Sequence, residues 1–141
     1  MIQDIGTLYV SQGLDYNYLH RSQRDANGNR HYTPHDVKVI DLSSLLYSIA
    51  KTDCIKNVPS WHHQAVGDVV GTQLKVTGVT PTQSIDIVEA IESKDKKFAL
   101  GVQYHPEEAV RKHLAGDPEA SNFMQLYEAV NYFKALIHAV P

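Results

Sequence analysis

Hydrophobic and polar positions along the chain change their period three times, and each change predicts a different element. Residues 37–40 alternate Val-Lys-Val-Ile and predict a short strand. Asp41 is then placed to cap a helix over residues 43–50, with Leu42, Leu45, Leu46 and Ile49 on one face. Residues 55–60 predict the next strand. From Leu74 the pattern is strand-like again, in runs 74–79, 87–92 and 98–104 separated by Pro81-Thr-Gln-Ser84 and Ser93-Lys-Asp-Lys-Lys97, and it predicts a meander. Asp117-Pro118-Glu119 has the grammar of a helix start: a capping acid, proline at the first position and an acid in the first turn. Phe123, Leu126, Tyr127, Val130, Phe133 and Ile137 follow at helical spacing and predict a core-facing stripe. Residues 11–36 show neither period. They are rich in Tyr, Asn, Asp, Arg and His, and Asn27-Gly28 marks a turn, so a long loop is expected there.

Composition narrows the class. The chain has 141 residues, 43% of them hydrophobic, which suits one domain with a modest core. A formal net charge of −3 gives no basic footprint for nucleic acid, and no apolar run reaches the length of a membrane span. The first residues carry no signal-peptide pattern, and one cysteine excludes an internal disulfide framework. A cytoplasmic protein is expected.

The densest chemistry lies in Gly101-Val-Gln-Tyr-His-Pro-Glu107. An apolar run that ends in His-Pro-Glu puts a base, His105, and a carboxylate, Glu107, at one end of a strand. Glu107 is placed to hold the imidazole tautomer while His105 acts on a nucleophile. The run from Phe98 is expected to be a buried strand. Open parallel sheets bind ligands at their strands' carboxyl ends, which is where His105 would fall. Proline at 106 keeps His105 extended. The single cysteine, Cys54, has no flanking glycines and so lacks the sharp exposed turn of a nucleophile elbow. The sequence has eight histidines, but His62 and His63 should point to opposite faces of an extended segment, and neither belongs to an H-x-x-x-H or C-x-x-C pair. No metal and no cofactor are expected.

Gly101-Val-Gln-Tyr-His-Pro-Glu107 resembles the histidine-glutamate signature of class I glutamine amidotransferase-like hydrolases. Pro59-Ser-Trp-His-His-Gln-Ala-Val66 resembles a substrate-side loop of one branch, the gamma-glutamyl-gamma-aminobutyrate hydrolases. Gln3-Asp4-Ile5, Tyr18-Leu-His20 and His35-Asp-Val37 resemble further family segments, and after about Glu108 the match is loose. The resemblance implies an α/β fold, the C-terminal part of a flavodoxin-like amidotransferase domain that would occupy residues 1–141. It implies catalytic roles for His105 and Glu107, and a glutamyl pocket lined by the backbone of Ser60, Trp61 and His62 with His63 and Gln64 in support; Trp61 also reads as a core aromatic. The family's nucleophile is a cysteine on a G-x-C-x-G elbow that precedes the Gln-Asp-Ile segment, and this chain is expected to lack it. The substrate implied is a small gamma-glutamyl amide, and the expected partner is the missing half or a second copy, because strand edges and apolar faces would otherwise stand in water. The chain alone is then expected to show no turnover. Two other readings stay open: a noncatalytic glutamyl-binding module, and the glutaminase part of a biosynthetic amidotransferase.

Overall fold

A computed structural model describes residues 1–67 and 69–140. It shows a mixed α/β fold around one five-stranded sheet with strand order β2-β1-β3-β4-β5. The strands are β1 (Thr33–Val39), β2 (Cys54–Ser60), β3 (Leu74–Thr82), β4 (Ile85–Ser93) and β5 (Leu100–Val102). Every pairing in the sheet is antiparallel. The meander expected from residue 74 onward is therefore present as β3-β4-β5.

One expectation fails here. The run from Phe98 is not a buried strand of a parallel sheet. Only Leu100–Val102 pair, they pair antiparallel with β4 alone, and Gly101 is exposed. Apolar composition could not separate a central parallel strand from an antiparallel edge, because both accept Leu-Gly-Val.

The helices are α1 (Ile5–Ser11), α2 (Leu45–Ala50), α3 (Pro106–Ala115) and α4 (Leu126–Ala139), with a 3₁₀ turn at Pro118–Asn122. Val37 and Val39 of β1, Ile55 and Val58 of β2, Ala90 of β4, Leu46 and Ile49 of α2, Ala109 of α3 and Ala129 and Tyr132 of α4 share the main core. A smaller cluster joins α1 to the rest through Ile5, Tyr9, Ala65 and Ile87. Gly78 on β3 is the contact point between sheet and α2: a Cβ there would stand 3.0 Å from Leu46 Cδ2 and 3.1 Å from both Ala90 Cβ and Val37 Cγ1.

Helix α2 starts later than predicted. Ser44, not Asp41, is its cap, with Oγ accepting from Tyr47 N at 3.0 Å. The next two free amides, Leu45 N and Leu46 N, donate to the buried Glu92 carboxylate at 3.0 and 2.7 Å, so the helix end is satisfied from β4. Asp41 instead accepts from Ser43 and from Lys75 Nζ at 2.7 Å, and those partners hold its carboxyl down to about 2.

The C-terminal segment corrects a second expectation. Asp117 does cap a helical start, but only of the 3₁₀ turn; Lys112 pins that turn by donating to Asp117 at 2.9 Å and Glu119 at 2.8 Å. Helix α4 begins at Leu126 behind a Gln125–Glu128 capping box. Its buried face is Ala129 and Tyr132, while Tyr127, Phe133 and Ile137 of the predicted stripe are exposed, with Leu136 beside them. Small Ala129 admits close approach, and the buried Tyr132 hydroxyl meets that of Tyr104 at 2.7 Å, so these contacts set the helix's rotation against the larger apolar stripe.

Candidate active site

After β5 the chain is fastened to the sheet twice before it turns. Gln103 N donates to Glu89 O at 2.8 Å, and His105 N donates to Pro59 O at 2.9 Å, which ties the His-Pro-Glu turn to the end of β2. Pro106 then opens α3, because a missing N–H costs nothing at the first helical position. Glu107 lies in that first turn, where the helix dipole favours a carboxylate. The consequence is a short side-chain contact: His105 Nδ1 lies 2.6 Å from Glu107 Oε1. With Nδ1–H donated to the carboxylate, Nε2 is the atom left to take a proton from a partner. The imidazole is about one third exposed and Glu107 is 60% exposed, so the pair stands at the surface.

The ring of Tyr32 meets the His105 ring edge-on at a centroid distance of 5.3 Å, and Trp61 lies against Tyr32 at 5.0 Å. Segment 60–62 alternates its side chains. Trp61 faces the Tyr32 and His105 side and remains 38% exposed. Ser60 and His62 turn inward: Ser60 Oγ and His62 N both donate to His20 O at 2.9 Å, and His62 Nδ1 donates to Gln64 O at 2.8 Å. His63 and His62 do point to opposite sides, since His63 Nδ1 reaches Asp4 at 3.2 Å while His62 is buried. Gln64 Nε2 donates to Gln3 Oε1 at 3.2 Å and Ile5 N donates to His63 O at 2.8 Å, so the Gln-Asp-Ile segment is held against segment 63–65.

Cys54 stands at the far end of β2. Pro59 is five positions further on, on the order of 16 Å of extended chain, which puts the Cys54 thiol well away from the His105 turn.

Spacing kept the histidines apart, yet the fold gathers three of them. His20 from the long loop, His35 from β1 and His62 from just beyond β2 surround Glu89 of β4, all four buried. His20 Nδ1, His62 Nε2 and His35 Nε2 stand 3.1, 3.4 and 3.7 Å from Glu89 Oε1. Burial pushes the His35 imidazole down to about 4 against the opposing pull of Glu89. Burial raises the Glu89 carboxyl, and any proton that the neighbouring rings turn toward it brings the group below the usual carboxylate range. Sequence reasoning passed over this group because its members come from four separate segments. The available signal was Glu89 itself, an acid between Val88 and Ala90 in a strand, together with three histidines inside the segments already noted for their family resemblance.

Residues 2–107 match the protein family described as Peptidase C26. The chain belongs to that family. The match of this Peptidase C26 chain ends at Glu107, where the sequence resemblance was expected to loosen. The chain is 41% identical over 68 residues to a putative glutamine amidotransferase-like protein of Rickettsia prowazekii (strain Madrid E), an alignment covering 48% of this chain and 23% of that protein. It is also similar in fold to the glutaminase domain of Trypanosoma brucei CTPS solved with bound acivicin, at a TM-score of 0.51 and 26% identity, covering 79% of this chain and 43% of that one. The chain therefore spans about a quarter of the curated relative. These likenesses place it among the class I glutamine amidotransferase-like proteins and bear out the expected fold class.

Proposed function

We propose that this chain supplies the base, its orienting carboxylate and part of the substrate pocket of a cysteine hydrolase that cleaves gamma-glutamyl amides, in the gamma-glutamyl-gamma-aminobutyrate hydrolase branch. The observation that carries the reading is the 2.6 Å contact between His105 and Glu107, with Nε2 of the same ring left for a nucleophile. A thiolate formed as His105 takes the thiol proton would attack the gamma-carbonyl. The resulting tetrahedral species would collapse to a thioester as His105 protonates the leaving amine, and water would then release glutamate. Trp61 and the backbone of Ser60 and His62 are the pocket residues of this reading, supported by the aromatic chain from His105 through Tyr32 to Trp61. The thiol must come from outside these 141 residues, since Cys54 is their single cysteine. The partner of the reading is a further polypeptide segment or a second copy, and the exposed apolar residues Tyr127, Leu136 and Ile137 on α4 support such a partner. The lone free cysteine supports a cytoplasmic setting.

The test begins with the coding DNA upstream of Met1. An in-frame G-x-C-x-G elbow is expected, and the longer product should hydrolyse a gamma-glutamyl anilide while the 141-residue chain does not. Turnover by the 141-residue chain, abolished by His105→Ala, would overturn the need for an outside thiol. A second reading, a noncatalytic glutamyl-binding module, is favoured by the distance of Cys54 from His105; calorimetric binding of glutamine to the chain, with no elbow upstream, would establish it in place of the hydrolase. The likeness to the Trypanosoma brucei CTPS glutaminase domain supports a third, a glutaminase that passes ammonia to a synthase, and ammonia transfer rather than amine release would distinguish it.

A further inference from the structure

The buried histidine-glutamate group poses a hydrogen-bonding problem that its own residues do not solve. His62 Nδ1 faces the Gln64 carbonyl at 2.8 Å, and a carbonyl only accepts, so the ring proton sits on Nδ1. In the neutral ring Nε2 is then a bare lone pair, aimed at Glu89 Oε1 from 3.4 Å. His35 reaches the same state by a different route. Thr80 Oγ1 spends its single proton on Asp36 O at 2.9 Å, so at its 2.9 Å contact with His35 Nδ1 it must accept, and His35 also carries its proton on Nδ1. Its Nε2 lone pair points at Glu89 from 3.7 Å. Acceptors face an acceptor in a site closed to bulk solvent. Among the described residues, neither carboxylate oxygen of Glu89, neither nitrogen of His20, nor the Nε2 atoms of His35 and His62 have a hydrogen-bond partner. An unpaired buried carboxylate among lone pairs is strongly unfavourable unless a cation stands between them.

The geometry points to a divalent metal site in which His20 Nδ1, His35 Nε2, His62 Nε2 and a Glu89 carboxylate oxygen are four ligands of one ion of zinc's class. All four ligand atoms lie within 4.8 Å of one another. A tetrahedron with arms of about 2.0–2.1 Å has edges of about 3.3–3.4 Å, and the three edges from Glu89 Oε1 measure 3.1, 3.4 and 3.7 Å. Three imidazoles and one carboxylate suit zinc better than calcium or magnesium, which take oxygen sets. Gln64 O and Thr80 Oγ1 do for these rings what outer partners do in known metal sites: they fix the tautomer and turn Nε2 inward. Since the four side chains are all buried, no coordination position is open to substrate, and the ion is structural. It joins the long loop, β1, the segment after β2 and β4 at one point. The site does not depend on the hydrolase reading: it uses the His62 side chain where that reading uses its backbone, and it shares no side chain with the His105–Glu107 pair, which is exposed and engaged with itself.

Purified chain stripped with a chelator and reloaded should bind one zinc per chain by mass spectrometric metal analysis. Cobalt(II) in its place should give the intense visible bands of four-coordinate cobalt. Glu89→Gln and His35→Gln should each weaken zinc binding more than about 100-fold, and Thr80→Val, which removes only the orienting hydroxyl, by about 10–100-fold. His31→Gln and His138→Gln, both at exposed histidines, should leave binding unchanged. The proposal is overturned if chain with native near-ultraviolet circular dichroism takes up no zinc, or if cobalt gives the pale spectrum of six-coordination. It is overturned equally if one zinc per chain persists in Glu89→Gln and His35→Gln together. Should those two variants fail to fold, the wild-type cobalt spectrum and the Thr80→Val titration decide the matter.

Discussion

Among the histidine-carboxylate groups of the chain, the His105–Glu107 pair and the cluster around Glu89 are built in opposite ways. His105 and Glu107 are two residues apart, half in water, and in contact at 2.6 Å because a helix begins between them. His20, His35, His62 and Glu89 span some seventy residues, are buried, and approach one another without completing their hydrogen bonds. Local geometry makes the first; tertiary packing makes the second. Exposure then decides what each can do. A surface imidazole with a free Nε2 can exchange protons with a substrate, whereas a buried ring of lone pairs is suited to hold a cation or contribute to rigidity.

Substitution at each group should therefore break different properties. In an enzyme completed with its thiol, His105→Ala should lower kcat by about 10³–10⁴-fold, read from gamma-glutamyl anilide hydrolysis, with little change in stability. If stability falls instead and rate does not, the division between the two groups is wrong. Glu89→Ala should do the reverse, lowering unfolding free energy by about 3–5 kcal/mol because a buried charge network loses its centre, whereas exposed Glu107→Ala should shift it by less than about 0.5 kcal/mol; urea titrations of the two variants side by side make the comparison. Tyr104→Phe sharpens it, for Tyr104 adjoins His105 in sequence but belongs to the core. Removing its hydroxyl leaves that of Tyr132 unpaired and should cost about 1 kcal/mol, again by urea unfolding. The smallest effect concerns acid. Asp41 has a folded pKa of about 2, below its ordinary 3.8, so its contribution is complete above pH 3.8 and is lost as pH falls through about 2. Asp41→Asn should flatten stability across that window alone.

What could be read from the chain follows the range of the forces involved. The meander, a strand at β1, a loop before it and the His-Pro-Glu turn come from neighbours a few residues apart and are present, although β1 begins at Thr33, inside the stretch expected to be loop. The cap of α2 was misassigned because Glu92, which satisfies two of its amides, is nearly fifty residues away. Of the apolar stripe from Phe123 to Ile137, Phe123 lies in the core but Tyr127, Phe133 and Ile137 do not, because Ala129 and Tyr132 take the interior through close approach and one shared hydroxyl contact.

By itself, then, the sequence determined the five strands in outline and the presence of α2 but not α1 or α3, the family through residues 2–107, and the juxtaposition of His105 with Glu107, since two residues across a proline-opened helix start have few ways to lie. Tertiary structure alone decided that the sheet is antiparallel with β5 at its edge, which face of α4 meets the core, and that three distant histidines converge on Glu89. Those outcomes depend on which surfaces meet, and no local period encodes a meeting between segments that only folding brings together.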